Sequence, residues 1–279
     1  MHIKLSPPSG VTVNKIKIPS QGRLMPALVI APSAPRPGAP GVLWIHGGGY
    51  ITGMKEMVYM SRAMDLVLHF GATVISPDYR LAPFHPYPAA IEDCYAALLY
   101  LRDNAASLGV NPSQLMVGGE SAGGGLTAAL TLMARDRGEV RIAYQMPLYP
   151  MIDHLDTDSS RDNHGRIWNT RRNHLGWRFY LRGTSVSDVP AYASPAHAAD
   201  LSGLPPCYTF VGDGEPFYSE TLSYVERLRA AGVEASADVY HTDTHAFDML
   251  YPSWEVSLAA IEAFRERFEY AVGNYFAEN

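Results

Sequence analysis

From Val42 onward, short apolar runs alternate with stretches of helical periodicity, and this alternation constrains the fold more than any other feature of the chain. Val42-Leu43-Trp44-Ile45 is continuously apolar, as a strand buried on both faces would be. Residues 57–70 follow as an expected helix, with Met60, Met64, Val67 and Leu68 at helical spacing. Further strands are expected over 72–76, 115–117, 142–148, 207–211 and 235–240. Helices are expected over 89–102, 124–137, 218–230 and 254–276. In the last of these, Ile261, Phe264, Phe268 and Val272 share an inward face. Such an alternation folds as an α/β structure: a mostly parallel sheet with helices on both faces.

Two segments fall outside the rhythm. Residues 11–18 and 24–31 read as two early strands, and the Pro-rich stretch from Pro32 to Pro40 as a hairpin-type connection after them. Between Pro150 and Leu204 no strand is expected. Polar and charged residues there mix with Trp168, Trp177, Phe179 and Tyr180, and 173–182 reads as a short helix. A long insertion after a strand of such a sheet usually forms a lid or a binding element. With 279 residues, 47% of them hydrophobic and 18% charged, the chain can bury a large core, and global disorder is excluded. The expected organisation is one domain over 1–279, with a lid insertion at about 151–204.

A net charge of -6 argues against a nucleic-acid surface, which needs a basic field. Cys94 and Cys207 lie far apart and suit buried free thiols better than a disulfide or a metal site. The first residues contain no apolar stretch of signal-peptide length, and no apolar run approaches a membrane span, so the expected location is cytoplasmic.

Gly119-Glu120-Ser121-Ala122-Gly123 lies between an apolar strand and a helix-like run. The Gly-x-Ser-x-Gly form suits a serine on a tight strand-to-helix turn, where side chains at either glycine would collide with neighbouring backbone. A serine hydroxyl is a poor nucleophile at neutral pH. It needs a base, an orienting acid and donors for the oxyanion. For the base, His241 and His245 both follow the strand ending at Tyr240, and His245 is better placed to reach back over the sheet. For the acid, Asp213 and Glu215 share the loop after Val211. Gly47-Gly48-Gly49 follows a buried strand and can offer open backbone N–H groups, with the N–H of Ala122 as a further donor. A phosphate-loop reading of these glycines fails, because no Lys-Ser or Lys-Thr pair follows them. Asp153, His154, Asp156 and Asp158 cluster in sequence, but their spacing matches no strong metal motif and they read as solvated loop residues.

Four ordered motifs resemble the hormone-sensitive-lipase-like bacterial esterases of the α/β-hydrolase fold. These are His46-Gly47-Gly48-Gly49-Tyr50, Tyr79-Arg80-Leu81-Ala82-Pro83 running on to Ala90, Gly119 to Gly124, and the block at His245. The resemblance implies hydrolysis of short-chain carboxylic esters without metal or cofactor. Ser121 would be the nucleophile, His245 the base, and Gly48, Gly49 and Ala122 the oxyanion hole. It also favours Glu215 over Asp213, because the family usually places an aspartate before the proline found here as Pro216. There are other departures. Phe84 stands where a glutamate is frequent, Ala246 where glycine is common, and only a short N-terminal cap segment precedes Val11. The expected partner is a small-molecule ester, with no nucleic acid or membrane, and a homodimer is left open. An amidase, a lactonase or a sugar O-deacetylase would use the same groups, and a non-catalytic receptor on this fold would lack the histidine.

Overall fold

The computed structural model describes residues 6–185 and 187–277. Its centre is an eight-stranded sheet: β1 (Val11–Ser20), β2 (Arg23–Pro32), β3 (Ala39–Ile45), β4 (Thr73–Pro77), β5 (Val110–Glu120), β6 (Tyr144–Leu148), β7 (Cys207–Gly212) and β8 (Ala235–Tyr240). The spatial order is β1-β2-β4-β3-β5-β6-β7-β8. β1 and β2 are antiparallel to their neighbours, and the pairs from β4 to β8 are parallel. The helices are α1 (Ala63–Phe70), α2 (Ala89–Asp103), α3 (Ala122–Arg137), α4 (Thr170–Tyr180), α5 (Tyr218–Ala230), α6 (Phe247–Leu250) and α7 (Glu255–Asn274).

Alternating residues of the central strands face two separate cores, as the two-residue strand period requires. Leu43, Ile45 and Val117 pack with Leu98 of α2 and Leu130 of α3. Val42, Trp44 and Met116 pack with Leu66 of α1 and Phe264 of α7. Both faces are covered, which explains why these strands read as unbroken apolar runs. No helix among the described residues is long and apolar enough to cross a membrane.

Three expectations need correction. The hairpin is not at Pro32–Pro40. It joins β1 to β2 through Gln21 and Gly22, both with positive φ (46° and 74°), as a two-residue hairpin turn demands. The Pro-rich segment instead carries the chain past β4, which lies between β2 and β3. The expected helix at 57–70 is broken at Ser61, whose hydroxyl donates to Val58 O (2.9 Å) and accepts Ala63 N–H (3.1 Å). A 3-10 helix (Lys55–Met60) precedes the break and α1 follows it, leaving Leu68 exposed. The strand expected at 115–117 is eleven residues long, because the polar stretch from Asn111 to Gln114 extends its start. The segment between β6 and β7 contains α4, a 3-10 helix (Pro195–His197) and, among the described residues, no strand.

Candidate active site

The C-terminal ends of β3, β5, β7 and β8 lead directly into His46, Ser121, the Asp213–Glu215 loop and the His245 loop. Ligands of open parallel sheets bind at this edge, where successive loops converge.

Ser121 has φ 57° and ψ −120°, a strained conformation for a residue with a side chain. Neighbouring backbone holds it there. Ser121 N–H donates to Leu148 O (3.0 Å), and Ser121 O accepts from Met151 N–H (3.0 Å) and Gly125 N–H (2.9 Å). The flanking glycines are a packing necessity. A Cβ on Gly119 would lie 2.4 Å from Ile45 O, and one on Gly123 would lie 2.0 Å from the same oxygen.

His245 Nε2 lies 2.9 Å from Ser121 Oγ, and its Nδ1 is hydrogen-bonded to Glu215 Oε2. The carboxylate on Nδ1 selects the tautomer with its proton there, leaving Nε2 free to accept from the serine hydroxyl. Glu215 is fully buried, and its Oε1 accepts Gly212 N–H at 2.8 Å. Tyr149 and Phe217 each set an edge-on ring against the imidazole at 5.1 Å. Asp213 takes a different partner. It pairs with His241 Nδ1 at 2.8 Å, and that histidine side chain is fully exposed. Ala246 adopts φ 58°, a left-handed conformation costing about 1 kcal/mol for a residue with a Cβ. This accounts for the frequency of glycine there in the resembling family.

The glycine loop packs against the serine turn: a Cβ on Gly47 would lie 3.0 Å from Glu120 O and 3.3 Å from Ser121 Cβ. Gly48 and Gly49 have φ 118° and 60°. Gly48 O accepts from Ile51 N–H (3.1 Å) and Thr52 N–H (3.0 Å). The N–H groups of Gly48, Gly49 and Ala122 donate to no protein acceptor among the described residues. Tyr79 OH donates to His46 O (2.9 Å), Ala82 N–H to Tyr50 O (2.8 Å), and Tyr50 OH to Met151 O (2.6 Å). Burial lowers the His46 pKa to about 4, so this ring is neutral; it stacks on Tyr79, and its Nδ1 lies 2.8 Å from Gly47 O. Phe84 is 83% exposed and plays no part in bracing the loop.

Several neighbours belong to no motif. Trp168, from the segment between β6 and β7, covers Gly49 so closely that a Cβ there would lie 2.1 Å from its ring. Beneath the serine turn, Trp44 Nε1–H donates to Glu120 Oε1 (2.8 Å), and Tyr149 OH donates to Asp248 Oδ1 (2.8 Å). Arg62 Nε lies 3.0 Å from Asp248 Oδ2. Burial, and then the charge of Asp248, push the Glu120 carboxyl up to about 8, with the Trp44 bond acting in the opposite direction. The acids of the Asp153–Asp158 stretch do not act as one group: Asp156 pairs with His174 (2.7 Å) and Asp158 with Arg161 (3.5 Å).

A serine on a strained turn, a carboxylate-oriented imidazole and open N–H groups, all on the carboxyl edge of a parallel sheet, meet the requirements of a serine hydrolase. The chain belongs to the α/β-hydrolase-fold family, whose model matches residues 42–249. It is similar to the carboxylesterase NlhH of Mycobacterium tuberculosis, with 37% identity over 232 residues covering 80% of this chain and 71% of that one. It is also similar to the arylesterase of Saccharolobus solfataricus, with 34% identity covering 74% and 67% of the two chains. Among solved structures, a bacterial heroin esterase superposes with a TM-score of 0.90 at 33% identity, covering 95% of this chain and 85% of that one.

Proposed function

We propose that this ester hydrolase is a serine carboxylesterase acting on short-chain acyl esters through an acyl-enzyme. The observation that carries the reading is the continuous hydrogen-bond chain from Glu215 through His245 to Ser121. Ser121 Oγ attacks the ester carbonyl carbon while His245 Nε2 takes its proton. The carbonyl oxygen becomes an oxyanion and accepts from the N–H groups of Gly48, Gly49 and Ala122. The tetrahedral intermediate collapses, His245 returns the proton to the leaving alcohol, and the acyl group stays on Ser121. A water molecule, deprotonated by the same imidazole, then releases the carboxylic acid. Glu215 holds the ring orientation and stabilises the imidazolium formed in each half-reaction.

In this reading the whole chain is one α/β-hydrolase domain, and residues 151–204 form the lid. Trp168 beside Gly49 and His245 supports that role, with ring centroids of Trp168 and His245 6.5 Å apart. The substrate is a small ester, in keeping with relatives that include an ethyl acetate hydrolase of Pseudomonas putida at 27% identity. The test is Ser121→Ala assayed with a short p-nitrophenyl ester. Turnover is expected to fall by at least about 10³-fold with the circular dichroism spectrum unchanged. Turnover at the wild-type rate would sink the assignment.

A further inference from the structure

Asp153, His154 and His197 take no part in the ester chemistry, yet the fold brings them together from the two ends of the insertion. Asp153 and His154 follow β6, and His197 ends the 3-10 helix that precedes the return to β7. Asp153 Oδ1 lies 2.7 Å from His197 Nε2, and the rings of His154 and His197 have centroids 4.9 Å apart. One ligand-capable atom from each of the three residues lies within 4.8 Å of the other two.

The cluster is braced from behind. Ser194 Oγ lies 3.0 Å from His154 Nδ1, accepts His154 N–H (3.2 Å) and donates to Ile152 O (3.0 Å). Arg227 of α5 donates to the carbonyls of Ala196 and Ala198, on either side of His197. Glu220 Oε1 accepts the N–H groups of Ile152 (2.7 Å) and Asp153 (3.1 Å). The other Glu220 oxygen, Oε2, is buried and has no partner among the described residues. Glu220 and Asp153 both line a cavity of about 300 Å³, which Asp156, Asp158, Arg161 and Arg227 border as well.

An ordinary ion pair between Asp153 and His197 explains one of these contacts. It does not account for the second imidazole, whose ring centroid lies 4.9 Å from the first. Two imidazoles with one carboxylate form a donor set for zinc and neighbouring transition metals, whereas calcium and magnesium take oxygen ligands. We propose that Asp153, His154 and His197 bind a divalent transition-metal ion, with Zn²⁺ as its representative, and that the ion clips together the two ends of the insertion. The ligand positions at its extremes, 153 and 197, are 44 residues apart. The ion would therefore close a long loop and limit its freedom in partly opened states. The effect would reach the insertion first, because Trp177 lies edge-on to His154 (6.3 Å) and also packs on Tyr50 (5.3 Å).

The test is calorimetric titration of EDTA-treated, full-length protein with ZnCl₂, followed by thermal unfolding with and without the metal. The wild type is expected to take up about one equivalent and to melt at a higher temperature with zinc bound. His197→Ala and Asp153→Asn should each weaken binding by at least about tenfold and abolish the thermal shift. His174→Ala and His241→Ala remove the exposed Asp–His pairs and should leave binding unchanged. Three results would overturn the site: no uptake by the wild type at roughly 100 µM zinc, undiminished binding by His197→Ala, or loss of binding on changing His174 or His241.

Discussion

Glu120→Gln tests how the serine turn is built from beneath, through the pH dependence of stability. The Glu120 carboxyl is raised from an ordinary value near 4.5 to about 8, first by burial and then by Asp248. Between those two values the folded protein holds a proton that the unfolded chain has released. Stability is therefore fully present below about 4.5 and is lost as pH rises toward about 8. At about 1.4 kcal/mol per pH unit, the loss over this window has a ceiling of roughly 5 kcal/mol. Glutamine keeps a carbonyl oxygen to accept Trp44 Nε1–H and does not titrate. His46, lowered to about 4, imposes the opposite slope between about 4 and its ordinary value of 6.5. It is present in both proteins and cancels in their difference. The assay is equilibrium denaturant unfolding of wild type and Glu120→Gln at several pH values from 5 to 9. The variant should gain on the wild type steadily up to pH 8, with the difference level above it. Parallel curves, agreeing within about 0.5 kcal/mol in their pH dependence, would refute the buried, proton-holding carboxyl.

Three substitutions test the proposed machinery above that carboxyl. Glu215→Gln should lower kcat by roughly 10³- to 10⁴-fold, because a carboxamide no longer enforces the imidazole tautomer. Asp213→Asn, at the exposed His241 pair, should stay within about twofold of wild type; steady-state kinetics that reverse this order would reassign the acid. Gly48→Ala places a Cβ 2.1 Å from Thr52 O at φ 118°, so the loop must move. Its kcat should fall by about 10²- to 10³-fold with little change in KM, and an unaltered kcat would remove this loop from the oxyanion site.

The parallel sheet was legible because Val42–Ile45 and its counterparts are covered on both faces, so their sequences carry a plain apolar signal. The break at Ser61 was not legible, since it depends on a side chain capping its own backbone within an otherwise helical pattern. The hairpin at Gln21-Gly22 was masked by the stronger composition of the Pro-rich stretch, whose path depends on β4 joining the sheet between β2 and β3. In the candidate site, Ser121, Glu215 and His245 stood in that order along the chain, and the fold brings those three within hydrogen-bond reach. Choosing Glu215 over Asp213 from residues alone was impossible. Both lie on one loop, and only the turn after Gly212 buries one and exposes the other. Trp168, Tyr149 and the Asp248–Arg62 pair carry no motif; tertiary packing alone sets them around the imidazole and beneath the serine. His197 is the same kind of case. It lies 44 residues from Asp153, and no local spacing rule joins the two.

The most direct measurement of the central claim is peptide mass mapping after treatment with a fluorophosphonate. The account predicts one adduct, on the peptide containing Ser121, formed at a rate that His245→Ala sharply reduces. An adduct on another residue, or equal labelling with and without His245, would contradict it.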